Sequence, residues 1–287
     1  MSRRIIPQGV AGGLFSLAAF GSYATHDALV KFLGGAYPVF QIIFFGSLFG
    51  FPWLFLLMYR QGSFSLRPRH PWWVASRTIA SLITGVTVFY AFTRLPLAEV
   101  YAIIFATPLV ITAMSIPILG ETVGWRRWSA IAAGLIGVLI VLRPGVSPLT
   151  LAHLAALAAV FSGGFVSITL RKIGHDERNT VLMFYPLLIN FSAMALILPM
   201  VWVPMTPGHL AINAGMAGLG FLAMVCLYAA YRRAPVSVVA PMQYSQILWA
   251  SLYGAMFFGE IPSLRVAFGA GIIILSGGFV LWRESRG

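Results

Sequence analysis

Long apolar runs separated by short polar links give this chain its outline. The runs fall near 8–33, 37–59, 72–93, 97–119, 126–142, 148–170, 179–202, 209–231, 235–258 and 263–282. A helix that crosses a bilayer needs about 20 apolar residues, so the pattern predicts an all-α integral membrane protein of ten transmembrane helices. No link is long or polar enough to form a separate soluble domain.

Residues 94 to 126 recur 139 positions later without a gap. Arg94 and Pro96 align with Arg233 and Pro235, Val100 with Val239, Gly120-Glu121 with Gly259-Glu260, and Arg126 with Arg265. The ten spans therefore divide into a first five-helix repeat, 1–143, and a second, 144–287. An odd number of spans turns the second copy over, giving two inverted repeats with a substrate site expected between them. The links Thr93–Leu97 and Tyr231–Pro235 permit only tight turns, with Pro96 and Pro235 near the start of the following helix, where a missing N–H costs nothing. Glycine at 120 and 259 is expected to end a helix in the left-handed conformation. That would leave Glu121 and Glu260 near the N-terminal dipole of the next helix, a structural role.

Composition agrees with the pattern. Apolar residues make up 59% of the chain and charged residues 9%, with a mean hydropathy of +0.88, whereas soluble domains carry about 25% charged residues. The net charge of +12 would suit a nucleic-acid partner, but its placement excludes one. Of the 19 Lys and Arg, fifteen fall in segments assigned to one side and only Lys31, Arg94, Arg143 and Arg265 to the other. Basic residues are retained on the cytoplasmic side, so both termini are expected there. The partner this implies is the lipid bilayer. The run after Met1-Ser-Arg-Arg continues past Ala18-Ala19 and reads as a first span rather than a leader. Trp72, Trp73, Trp125, Trp128, Trp202 and Trp282 fall at span ends and suit interfacial anchoring. Cys226 is alone, so no disulfide framework or cysteine metal cluster is expected.

The chemistry must come from polar groups within the spans. In span nine, Gln243, Gln246 and Ala250 share one face of a regular helix, flanked by Trp249 and Tyr253. Amides near the midplane are expensive against lipid, so they either join helices or line a pathway. The matching span four carries Tyr101, Phe105, Thr107 and Pro108, and Pro108 would kink the helix and free a carbonyl halfway across. Tyr90, Asn190 and Tyr228 are further candidates for a substrate wall.

Charges bear on mechanism. Asp27 and Lys31 are placed to pair at i, i+4, and Glu99 lies one turn inside span four near Arg94. All three fall toward the outer side, so a cavity selecting by shape, aromatic surface and neutral hydrogen bonds is favoured over one built around a midplane anion. A zwitterionic amino acid suits such a cavity, and a flat organic cation could bind through cation–π contacts. An enzyme would need clustered acids, bases or metal ligands. The histidines at 26, 70, 153, 175 and 209 are dispersed, His26-Asp27 is the one adjacent acid–imidazole pair within a span, and neither a phosphate loop nor a zinc helix signature is present. No catalytic residue, metal or cofactor is expected.

The ten-span plan, the paired Arg-x-Pro turns and the two Gly-Glu helix ends resemble the drug/metabolite transporter superfamily, specifically its EamA-type members. Within that group the chain is similar overall to bacterial inner-membrane exporters of aromatic amino acids and methyl viologen. The resemblance implies export of small metabolites by alternating access through a central cavity, and Lys31 matches a lysine that many such proteins carry. Ten spans can enclose a complete pathway in a monomer. The alternatives are a multidrug or nucleotide-sugar type transporter of the same superfamily, and a membrane-embedded enzyme.

Overall fold

The computed structural model describes residues 8–62, 65–122, 124–142, 149–234 and 239–284. Every regular element among them is helical: α1 (Gln8–Gly34), α2 (Val39–Gln61), α3 (Pro71–Arg94), α4 (Leu97–Ile104), α5 (Thr107–Leu119), α6 (Trp125–Leu142), α7 (Leu151–Ile173), α8 (Asn179–Val201), α9 (Pro207–Tyr231), a 3-10 turn (Ala240–Tyr244), α10 (Ser245–Phe258) and α11 (Leu264–Glu284). Taking α4 with α5 and the 3-10 turn with α10 gives the ten expected spans. Six of these, α2, α3, α4 with α5, α7, α8 and α9, are long and apolar enough to cross a membrane by length and composition. This is a multi-pass membrane protein.

The ends of the helices follow their sequences. Pro71 and Pro207 stand in the first turn of α3 and α9, and Gly120 and Gly259 take φ of 72° and 66° to stop α5 and α10. At both positions the glutamate that follows folds its N–H back onto the helix, Glu121 to Ser115 and Glu260 to Gly254. Pro96 is the N-cap of α4, and Pro235 lies outside the described residues.

Neither span four nor span nine is one continuous helix. Span four breaks at Phe105-Ala106, and span nine is a 3-10 turn through Tyr244 before α10 begins. The regular face expected to join Gln243 to Gln246 and Ala250 is therefore interrupted between the two glutamines. The carbonyl that Pro108 cannot bond belongs to Ile104, and the Thr107 hydroxyl donates to it at 2.6 Å. The proline break is thus closed locally and does not present an open carbonyl to a cavity. The two breaks fall at the same repeat position, since Phe105 and Tyr244 are 139 residues apart, and their rings meet edge-on with centroids 5.2 Å apart. Corresponding residues that touch lie at the centre of whatever relation joins the halves.

Contacts at the two ends fix the direction of the helices. One end gathers the close of α1 and α3, the start of α4, α7 and α9, and the turn after α10: Lys31 reaches the Leu95 carbonyl and Glu260, His153 reaches Glu99, and Tyr37 reaches His209. The other end gathers the close of α7 and α5, where Arg171 pairs with Glu121 at 2.8 Å and Lys172 donates to the Ile118 carbonyl. α6 and α11 pack against each other. Exposed Trp72 and Trp125, 87% and 74% accessible, sit at helix starts.

Each end also has a clasp between halves. At the first, the Gln41 amide donates to the Val203 carbonyl at 2.7 Å and accepts the Val203 N–H at 3.0 Å. At the second, Glu177 Oε2 accepts the Arg69 and His70 N–H groups at 2.7 and 3.0 Å, while Oε1 accepts the Arg178 N–H. Burial pushes the Glu177 carboxyl up, but the N–H donors of His70, Arg178 and Arg69 outweigh it and hold the group below the usual carboxylate range. A depressed folded pKa adds stability above the unfolded value, and that stability is lost as pH falls through the folded one. Glu177→Gln should therefore cost about 1–3 kcal/mol near neutral pH, and its deficit in thermal unfolding should close in acid. A deficit independent of pH would show that charge is not what the clasp uses.

Candidate functional site

The polar centre of the molecule is assembled from three helices. Asp27 of α1 lies seven residues before that helix ends, roughly 10 Å inside it at 1.5 Å per residue. Its Oδ1 is 2.8 Å from His26 Nδ1, and its Oδ2 accepts the Tyr101 hydroxyl of α4 at 2.5 Å. The same Tyr101 oxygen accepts from Gln246 Nε2 of α10 at 3.4 Å. Tyr101 and Gln246 are buried, and the Asp27 side chain is 16% exposed.

Asp27 does not pair with Lys31 as the i, i+4 spacing suggested. Lys31 Nζ lies 2.6 Å from Glu260 Oε1 and donates to the Leu95 carbonyl at 2.5 Å. The end of α3 offers a carbonyl at the negative pole of its dipole, and Glu260 supplies the charge. Glu260 Oε2 also accepts the Leu97 N–H at 3.1 Å, so this glutamate serves the dipole of α4 rather than that of the helix following it. Glu99 keeps His153 at 3.4 Å and Arg265 at 3.7 Å, while Arg94 lies over the Tyr90 ring. These groups and a cleft lined by Pro96, Glu99, Gly254, Glu260 and Arg265 make up one end of the molecule.

At the break in span nine, polar atoms are buried. The Tyr244 hydroxyl and Ser245 Oγ are buried without a hydrogen-bond partner among the described residues. Gln243 is half-buried in the 3-10 turn. Phe105 closes the opposite side, itself packed against Tyr101 at 5.9 Å. Breaking the helix turns these groups away from their own backbone. Buried polar groups without partners cost about 1–3 kcal/mol each, and among the described residues Thr78, Thr169, Thr180, Asn190 and Asn213 carry such atoms elsewhere.

The expected residues divide between this centre and elsewhere. Tyr101, Gln243, Gln246, Thr107 and Pro108 fall at or beside it. Trp249 is half-buried, stacks on Tyr253 at 6.2 Å and lies over Gly21 of α1, so its ring faces a helix. Tyr90 lines a groove near Gly34, Tyr37 and Leu151. Asn190 faces Gly85, its Oδ1 unpaired, and Tyr228 is 65% exposed beneath Arg232. The structure thus leaves Tyr90, Asn190 and Tyr228 out of the central cluster. Sequence reasoning passed over Asp27 and His26 by assigning them to the outer rim, and overlooked Tyr244 and Ser245. Two signals were available: an acid–imidazole pair inside a span, and the position of Tyr244 opposite Phe105 in the repeat.

A family model described as the EamA-like transporter family matches residues 10–143 and again 150–282. The chain belongs to the EamA-like transporter family. It is 31% identical to the riboflavin transporter of Vibrio cholerae over 82% of this chain and 78% of that one. It is 24% identical to the S-adenosylmethionine uptake transporter of Rickettsia felis, covering 96% and 93% of the two chains. The pseudopaline exporter CntI of Pseudomonas aeruginosa is 25% identical over 96% and 98%. A crystal structure with 20% identity superposes with a TM-score of 0.64 over 94% of this chain and 98% of its own, which shows the shared fold. These EamA-like relatives are named as uptake systems and as exporters, so family membership gives transport without its direction.

Proposed function

We propose that this EamA-like protein exports small polar metabolites carrying a planar ring, aromatic amino acids foremost, by alternating access across the cytoplasmic membrane. The observation that carries the reading is the pair of unsatisfied buried hydroxyls of Tyr244 and Ser245 beside two glutamines and the Phe105 ring. Neutral hydrogen-bonding groups next to aromatic faces suit a zwitterion with a flat side chain. Riboflavin and S-adenosylmethionine, named for two relatives, also combine a planar ring with a polar tail.

Alternating access between two inverted halves, 1–143 and 144–287, is supported by the alternation of helix ends and by an asymmetry. At one end α1 and α3 meet at Gly34 and Thr93. Their counterparts α7 and α9 make no comparable packing among the described residues. The pair Lys31–Glu260 is 11% and 22% exposed, against 49% and 28% for Arg171–Glu121. One end is thus drawn together while the other is looser, as expected of an inward-facing state if basic residues mark the cytoplasmic side and both termini lie there.

Purified protein in liposomes tests the proposal. Tryptophan and phenylalanine should exchange across the bilayer faster than alanine and threonine, with methyl viologen, riboflavin, S-adenosylmethionine and a nucleotide sugar run beside them. Preference for an aliphatic amino acid, or for the nucleotide sugar, would overturn the substrate class. Chemical alteration of any of them would favour an enzyme.

A further inference from the structure

Asp27 is a carboxylate within α1, the first of the expected spans, and the substrate reading gives it no work. Intramembrane carboxylates are expensive and kept where they are used. This one is provided for: His26 Nδ1 stands at 2.8 Å, the Tyr101 hydroxyl donates at 2.5 Å, and Gln246 backs that hydroxyl from α10. The nearest cation along its own helix, Lys31, is taken up by Glu260 and Leu95. Other titratable groups on the elements packed around α1 are Tyr23 on that helix, Tyr253 of α10 bonded to Thr25, and Tyr244 of the 3-10 turn. From α9, His209 meets Phe32 and Tyr37 at the end of α1, and from α3, Tyr90 and Arg94 line the groove beside Gly34. None of them is bonded to Asp27, whose side-chain partners are His26 and Tyr101.

We propose that Asp27 is the proton-binding site that couples transport to the proton gradient, taking a proton from the outer side and releasing it to the cytoplasm as substrate leaves. This rests on the transporter reading above. An ionised carboxylate only accepts hydrogen bonds, and here it accepts from both His26 and Tyr101; once protonated it must donate one. The added proton therefore displaces either the imidazole N–H or the Tyr101 hydroxyl, which Gln246 already uses as an acceptor. Of the two, it is the Tyr101 contact that ties α1 to α4, one turn inside the Lys31–Glu260 pair, and that gives way. Loading Asp27 loosens the outer end, and unloading it restores the link. No covalent bond to substrate is made or broken: one proton crosses inward bound to the carboxyl oxygen, and one substrate crosses outward.

Two readouts in liposomes separate coupling from binding. Counterflow of labelled tryptophan at equal pH needs only binding and movement, whereas accumulation against a concentration gradient under an imposed pH difference needs the proton. Wild-type protein should accumulate tryptophan at least tenfold and lose this on adding a protonophore. Asp27→Asn, which keeps shape and acceptor oxygen, should lower the ratio of driven accumulation to counterflow at least tenfold. An unchanged ratio in Asp27→Asn, or wild-type transport indifferent to the pH difference, would overturn the proposal. Infrared difference spectra read Asp27 without any substrate: a protonated-carboxyl band that titrates in the wild type and is missing from Asp27→Asn supports it, and its absence from the wild type overturns it. Failure of counterflow for the whole panel would sink the substrate reading, and the infrared band would then decide Asp27 alone.

Discussion

Gly34→Ala should cut transport at least tenfold while leaving the protein folded. A Cβ at Gly34 would lie 2.0 Å from Thr93 Cγ2 and 2.8 Å from Thr93 Cβ. The Thr93 side chain cannot swing aside freely, because its hydroxyl is bonded to the Tyr90 carbonyl at 2.8 Å. The ends of α1 and α3 must therefore part. Overpacking of this kind costs about 1–3 kcal/mol, and each 1.4 kcal/mol is about a factor of ten in the population of the closed end. A cycle that requires this closure once per turnover slows accordingly. Thr93→Gly removes the obstacle from the other side, so Gly34→Ala combined with Thr93→Gly should recover most of the rate, short of the helix penalty of the new glycine. A double variant as slow as Gly34→Ala, at equal folded protein, would mean that closure at this contact is not part of the cycle.

Tyr244→Phe separates binding from stability more cleanly than most substitutions can. The hydroxyl is buried and unpaired, so its removal should leave the melting temperature unchanged or raise it. If that hydroxyl meets substrate, affinity should fall about tenfold, the worth of one buried hydrogen bond of about 1–3 kcal/mol. Gln246→Leu provides the contrast. Its amide is bonded to Tyr101 within the protein, so this change should lower both stability and transport. Binding measured by isothermal titration beside thermal unfolding reads both. A Tyr244→Phe protein that melts lower and binds tryptophan as well as the wild type would remove the hydroxyl from the site.

Much of this architecture was legible in the sequence because the repeat is a statement about geometry. The offset of 139 placed Gly120 opposite Gly259 and Glu121 opposite Glu260, and both glycines adopt the conformation that their positions implied. The partners of those glutamates were not legible. Lys31 and Arg171 come from the opposite half in each case, and no local pattern encodes a contact between halves. Tyr228 was misplaced for a different reason. In water an apolar face marks the interior, but in a bilayer lipid and interior are equally apolar, so α9 carries no sign of which side meets its neighbours. Asp27 was misread because i, i+4 spacing offered a partner within the helix, and only α3, α4 and α10 reveal that Lys31 is occupied elsewhere.

The contact between Phe105 and Tyr244 carries a consequence for energetics. Where two halves of one plan meet at corresponding residues, a conformation in which the first half takes shape A and the second shape B has a counterpart with the shapes exchanged. Were the sequences identical, the two would have equal energy. On the proposed alternating-access reading, the differences between the halves set the bias between the two states. Gln246 standing where the other half has Thr107, and a buried lysine pair at one end against a more exposed arginine pair at the other, are such differences. Substitutions that make the halves more alike should bring the two states toward equal population, wherever along the chain they are made.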